Sequence, residues 1–204
     1  MPKILEKRER QLGVRLSIKG ERGSSPKAAL VRRPYPPGQH GKRGKRRPSE
    51  FSLQLQEKQK LKFTYSLNED QIKKVFNKAR KQEGAVNQLV AEILESRLDS
   101  VVFYLGIAES RSIARHLVSH GHFMVNKRRV NIRSYAVKPG DIITIRSESK
   151  DIPLFKSAEE RLKNYVVPIW LSLNSETLEG KMESKPRDIE NPFDINLVID
   201  YYSR

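Results

Sequence analysis

The chain has no cysteine among its 204 residues. That excludes disulfides and thiolate metal sites and is compatible with a reducing compartment. No run approaches the ~18 apolar residues of a membrane-spanning helix. The first residues, MPKILEKRERQLG, are basic without the apolar core of a secretion signal, so the expectation is a soluble cytoplasmic protein. Enzyme fingerprints are missing too: there is no P-loop, no Gly-x-Ser-x-Gly, no His pair with a ligating carboxylate and no Gly-x-Gly-x-x-Gly. Gly38-Gln39-His40-Gly41-Lys42 is no phosphate loop, since no strand precedes it. Asp99 and Asp141 are single carboxylates with structural explanations, in a helix and in a Pro-Gly-Asp turn.

Acidic residues are scarce as well. Lys and Arg number 40 against 24 Asp and Glu, a net charge of +16, and the isoelectric point is near 10.1. Residues 1–50 carry 15 basic against 4 acidic residues, and 96–150 carry 10 against 4, whereas 151–204 carry 7 against 10. The positive charge therefore sits in an N-terminal arm and a central block, and such a distribution calls for a polyanionic partner. Residues 32–48, RRPYPPGQHGKRGKRRP, are the densest stretch, without one acidic residue. Prolines hold it extended, glycines allow close backbone approach, and it has too little apolar surface for a core. Tyr35 and His40, set among Arg32, Arg33, Lys42, Arg43, Lys45, Arg46 and Arg47, are candidates for stacking on bases, which points to RNA.

After Pro48 the pattern turns helical. Ser49 is a cap for FSLQLQEKQKLKF, and Ser66 with Glu69 has capping-box spacing ahead of Ile72, Val75, Phe76 and Ala79. A third helix opens near Asn87 with Leu89, Val90, Ile93 and Leu94 inward, and either continues or breaks into Leu98, Val101, Val102 and Leu105 before Gly106. Ser110 caps RSIARHLVSHG, whose Ile113, Ala114, Leu117 and Val118 share one half while Arg111, Arg115, His116, Ser119 and His120 share the other. HFMVN and RRVNI read as strands joined at Asn126-Lys127, Pro139-Gly140-Asp141 as a turn, and IITIR as a third strand. KSAEERLKNY reads as a short helix and NLVIDYYSR as a strand or an extended tail that docks.

Arg111 and Arg115 lie one turn apart, ~5.4 Å along the axis, a separation suited to neighbouring phosphates. An isolated pair is more often a solvated face. Lys127, Arg128 and Arg129 on a hairpin expected beside that helix favour one basic surface. On this reading Arg111→Ala with Arg115→Ala loses RNA affinity and keeps its fold. His116, His120 and His122 lack a thiolate or carboxylate companion and are ringed by cations, so they read as hydrogen-bonding groups and no metal is expected.

RRPYPPGQHGKR, LQEKQKLKFTY, SRLDSVVFYLGIAESRSIARHLVSHGHFMVNKRRVNIRSYAVKPGDIITIR and the terminal YYSR together resemble the S-four family of bacterial small-subunit ribosomal proteins. The resemblance covers essentially the whole chain. It implies an α+β fold: a basic extended N-terminal arm (1–48) ordered by RNA, a small helical domain (49–95), an S-four RNA-binding module of two helices packed on a small antiparallel sheet (96–158), and a C-terminal extension (159–204) whose tail, 190–204, packs back on the helical domain. It implies a structural constituent of the small subunit that binds 16S-type rRNA at a 5′-domain helix junction, nucleates assembly of the subunit body and contributes to translational accuracy. Small-subunit proteins five and three, with twelve as a further neighbour, and the region where mRNA enters are the implied surroundings, in a cytoplasmic or organellar ribosome. No membrane, small-molecule substrate, cofactor or catalytic residue is implied. The candidate RNA-binding set adds Lys58, Lys62 and Arg97 to the arm residues. In the module it comprises Arg111, Arg115, Ser119, His120, His122, Asn126, Lys127, Arg128 and Arg129.

Two departures from the family pattern stand out. Where many relatives have four zinc-binding arm cysteines, this chain has Glu6, Glu9, Gly23 and Ala28. The two glutamates are available to Lys7 or Arg10, and the arm is expected to rest on Val14, Leu16 and Ile18. Relatives also usually have Gly where this chain has Lys127, which costs ~1 kcal/mol if a type I′ turn is kept. The alternative function is an RNA-modifying enzyme using the module for targeting, but little chain remains for a catalytic domain. A polybasic membrane-surface protein would need an apolar helix face beside its cations.

Overall fold

The computed structural model describes residues 6–16, 25–43, 47–162, 165–175, 177–187, 189 and 191–203. The chain divides into two compact units, Met1–Val90 with Ile189–Arg204, and Ala91–Asp188. In the first lie α1 (Glu6–Leu12), α2 (Ala29–Arg32), α3 (Glu50–Thr64) and α4 (Glu69–Arg80), and the division falls within α5 (Val86–Glu95). The second unit continues with α6 (Leu98–Tyr104), α7 (Arg111–Ser119), β1 (Phe123–Val125), β2 (Arg128–Val130), β3 (Ile142–Ile145), α8 (Pro153–Leu162), β4 (Leu171–Asn174) and β5 (Glu179–Met182), and α9 (Ile195–Ser203) returns to the first.

In the first unit Ser49 caps α3 by accepting from the Ser52 amide at 3.3 Å. The capping box of α4 is Asn68 with Gln71, two residues beyond the expected Ser66–Glu69 pair. The Asn68 side chain accepts from the Gln71 amide at 2.8 Å, and the Gln71 side chain accepts from the Asn68 amide at 3.0 Å. Ser66 has φ 46°, outside the extended geometry an N-cap needs. Leu61, Ile72, Phe76 and Ala79 form the buried core together with Val198 from α9.

α9 corrects the expectation of a strand or extended tail. Asp194 accepts from the Asn196 amide at 2.8 Å and starts the helix, and Arg80 donates to the Tyr202 carbonyl at 3.3 Å near its end. The helix packs on α3. Its Tyr202 hydroxyl donates to Glu69 at 2.6 Å, and the Lys58 ammonium, 3.0 Å from the same carboxylate, lies 4.3 Å from the Tyr201 ring centroid. Burial alone would raise the Glu69 carboxyl, but hydrogen bonds from Tyr202 and Lys58 and the charges of Lys58 and Lys62 outweigh it and hold it below its ordinary 4.5. A depressed folded value contributes stability in full above the unfolded value and loses it as pH falls through the folded one. Acid should therefore loosen α9 below ~pH 4. Near-ultraviolet dichroism of the tyrosines between pH 6 and 3 should show that step, and Glu69→Gln should remove it; an unchanged wild-type spectrum contradicts the assignment.

The arm is not simply extended. α1 and α2 pack together, Leu16 and Ala28 are buried, and a 3₁₀ turn spans Gly41–Arg43. Ile18 and Gly23 lie outside the described residues.

In the second unit all pairings are antiparallel and the strand order is β2-β1-β3-β5-β4. The sheet takes in two further strands from the segment beyond residue 158 and runs on to Met182. Phe123 and Val125 on β1 and Ile143 and Ile145 on β3 alternate into the core, against Val101 and Val102 of α6, Leu105 at its C-cap, Ala114, Leu117 and Val118 of α7, and Phe155 and Ala158 of α8. Gly180 on β5 is what lets the sheet meet α6: a Cβ there would stand 2.4 Å from a Leu105 methyl. Trp170, just before β4, is buried edge-on to Tyr104 at 5.4 Å.

Candidate nucleic-acid interface

The β1–β2 hairpin is built to project cations. Val125 pairs with Arg128, which leaves the two-residue turn Asn126-Lys127 with φ of 49° and 66°. Positive φ at both centre residues matches the right-handed twist of the strands. Asn126 is clamped from the neighbouring strand: its amide donates to Asp141 at 2.8 Å and its oxygen accepts from the Ile142 amide at 3.0 Å. Asp141 also accepts from the Lys138 amide at 2.8 Å, so this carboxylate is structural. With the turn pinned, Lys127, Arg128 and Arg129 stand exposed on the sheet edge.

Lys127 thus occupies a left-handed conformation that costs an L-residue ~1–2 kcal/mol. Lys127→Gly should raise stability by about 1 kcal/mol in urea denaturation and weaken RNA binding. A glycine variant with unchanged affinity would show that the cation has no role.

The hairpin abuts the end of α7. The Arg129 guanidinium lies so near Gly121 that a Cβ there would stand 2.6 Å from its Nε, and it donates to the His120 carbonyl at 3.4 Å. Ser119 is exposed, with its hydroxyl donating to the Arg115 carbonyl at 2.8 Å. His120 is exposed and its ring lies 6.0 Å from that of His122. His122 Nδ1 meets Ser149 Oγ at 2.9 Å. Burial, with His120, Arg146 and Arg129 nearby, pushes the His122 imidazole below its ordinary 6.5, which favours its neutral form.

The other candidate arginines of this unit are placed differently from the sequence reading. Arg111 makes a bidentate pair with Glu95 at 2.8 and 3.1 Å; its side chain is 12% exposed and that of Glu95 0%. It also donates to Ser100 at 2.9 Å and lies about 5 Å from the Phe103 and Tyr104 ring centroids. Arg97 makes a second bidentate pair, with Asp99 at 2.9 and 2.8 Å, and Arg115 reaches the same carboxylate at 3.9 Å with its side chain 8% exposed. Burial pulls the Arg115 guanidinium down to about 10 against the attraction of Asp99, which leaves it charged at neutral pH. These three arginines hold α5, α6 and α7 through internal carboxylates and are not an open phosphate grip. In the first unit Lys58 and Lys62 likewise converge on Glu69, at 3.0 and 3.6 Å.

Along the arm Arg32, Arg33, His40, Lys42, Arg43 and Arg47 are exposed; Lys45 and Arg46 lie outside the described residues. Tyr35 is half-buried, with Arg10 5.0 Å and Lys42 5.9 Å from its ring centroid. Arg10, named in the sequence reading only as a partner for Glu6 or Glu9, donates to the carbonyls of Arg33 at 3.1 Å and Tyr35 at 3.2 Å and fastens the Pro-rich segment to α1. Gly41 completes that turn, since a Cβ there would stand 2.0 Å from the Pro36 carbonyl oxygen. Glu9 is buried and accepts from the Leu16 amide at 2.9 Å, and Ala28 is buried. Among the described residues no group of His, Asp and Glu is placed to hold a metal ion.

Residues 5–95 match the family described as Ribosomal protein S4/S9 N-terminal domain, and 96–143 match the S4 domain. Small ribosomal subunit protein uS4 of Thermus thermophilus is 47% identical over 197 residues, covering 96% of this chain and 94% of that protein. The protein of the same name from Geobacillus is 46% identical and that from Pelotomaculum thermopropionicum 44%, over the same shares of each chain. With this identity sustained over nearly its whole length, the chain belongs to the uS4 family of small-subunit ribosomal proteins.

Proposed function

We propose that the protein is a structural, rRNA-binding constituent of the small ribosomal subunit. The observation that carries this reading is the near full-length similarity to proteins named small ribosomal subunit protein uS4, joined to the exposed cations of the hairpin turn. Its work is electrostatic. Lys127, Arg128 and Arg129 neutralise phosphates and release counterions, with Ser119 and His120 hydrogen-bonding beside them. Arg32, Arg33, His40, Lys42, Arg43 and Arg47, with the neighbouring Lys45 and Arg46, do the same along the arm, which settles on RNA through its basic Pro-Gly segment.

The target on this reading is the 5′-domain helix junction of 16S-type rRNA. Holding several RNA helices together there nucleates the subunit body and contributes to accuracy. Proteins five and three, with twelve, and the region where mRNA enters are the expected neighbours. The family resemblance supports these finer assignments. The alternative of an RNA-modifying enzyme is not favoured, because the relatives that match across the chain carry ribosomal names. Tagged protein should co-sediment with small subunits in moderate salt. Its absence from that fraction would overturn the reading.

A further inference from the structure

We infer that the groove beside the β1–β2 hairpin seats a single unstacked nucleotide; this rests on the RNA-binding reading above and names what the hairpin recognises. The groove has a volume of about 590 Å³ and lies between the hairpin and residues 131–135, within the ~300–1,000 Å³ of small-ligand clefts. Its walls carry Val130, Ile132 and Tyr135 with Asn131, and Arg128 and Arg129 line it too. No lining residue is acidic.

The far wall is fixed in advance. The Tyr135 amide donates to the Ile132 carbonyl at 3.1 Å, the Leu98 amide to the Tyr135 carbonyl at 2.9 Å, and the Asp99 amide to the Arg133 carbonyl at 3.3 Å. The segment is therefore tied to the first turn of α6. Ile132 is nonetheless 59% exposed, and an aliphatic side chain held in the open inside a cationic surface has no use for phosphate.

The occupant follows from this chemistry. Arginines in a lining that holds no acid select an anion, which disfavours an acidic-residue-free peptide. An aromatic ring and aliphatic side chains offer a surface to a base face, and the exposed Asn131 amide has both donors and an acceptor for a base edge. A duplex backbone would use the cations and leave the apolar wall idle. A nucleotide splayed from a bulge or junction uses both.

The test uses the full chain and a transcript of the small-subunit rRNA 5′ domain. Asn131→Ala with Ile132→Ala changes two exposed side chains, so its melting curve serves as a fold check; Tyr135 is left in place because it packs against the core. The double variant should bind roughly 5- to 100-fold more weakly, with the salt slope of the wild type. One nucleotide protected from dimethyl sulfate or 2′-hydroxyl acylation by the wild type should regain reactivity. Wild-type affinity and an unchanged footprint would overturn the nucleotide seat and leave the RNA-binding reading intact, as would a loss that appears only with whole subunits, which would mark a protein partner. A reduced slope would assign the pair to backbone contacts and also overturn it. A wild type that does not bind the transcript would overturn the RNA-binding reading itself.

Discussion

Arg111→Ala should destabilise the Ala91–Asp188 unit by about 3–5 kcal/mol, the cost of breaking a buried ion pair from one side. The Glu95 carboxylate is fully buried and takes two guanidinium hydrogen bonds from Arg111 and one from the Tyr104 hydroxyl at 3.1 Å. Burial and the adjacent carboxylate push the Tyr104 phenol well above its ordinary 10, so it remains a donor throughout the working range. Truncating Arg111 strips this carboxylate of its bidentate cation in a place water does not reach. It also vacates the space against Phe103 and Tyr104 and takes a hydrogen bond from Ser100. Arg111→Lys should recover only part of the loss, because an ammonium cannot reproduce the fork. Glu95→Gln with Arg111→Met, which removes both charges, should be closer to wild type than Arg111→Ala alone. Urea denaturation reads all three. An Arg111→Ala midpoint equal to wild type would contradict the pairing, and any RNA-binding defect of this variant is to be attributed to lost folding.

The second large effect should fall on binding and spare the fold. Lys127→Ala, Arg128→Ala and Arg129→Ala combined should weaken rRNA binding by roughly 1,000-fold or more near 0.1 M salt, from charge-assisted contacts of ~1.5–3 kcal/mol each. All three side chains are exposed and β2 is an edge strand, so the melting temperature should hold; alanine keeps a Cβ and with it the left-handed strain at position 127. On the phosphate-contact proposal the loss should be similar across RNA sequences. A drop confined to one sequence, or a matching loss of stability, would place the role of these cations elsewhere.

The two predictions divide the basic residues in a way that the sequence only half reveals. Arg111 and Arg115 share a helix half with Ser119 and His120, and on a helical wheel all four look equally wet. What the wheel cannot show is that Glu95 and Asp99 come from preceding elements to fill that half. The spacing that suggested neighbouring phosphates instead meets neighbouring carboxylates. Lys58 and Lys62 mislead in the same way, since Glu69 and Tyr201, which meet them, are 7 to 143 positions along the chain. The hairpin was legible because its signals are local: β-branched and aromatic residues, an Asn-led turn and a Pro-Gly-Asp stop. β5 was not, because Glu179-Gly180-Lys181-Met182 has no clear alternation and its glycine answers to Leu105 in a different element. α9 read as a strand because Val, Ile and Tyr crowd it. Its cap, Asp194, and its partner face on α3 decide for a helix.

The salt dependence of wild-type binding to the rRNA 5′-domain transcript tests the central claim most directly. If the protein works by displacing counterions from phosphates at several points, log affinity should fall against log salt with a slope of several units, at ~0.7–0.9 per contact. A slope near one, or binding that salt leaves untouched, would contradict it.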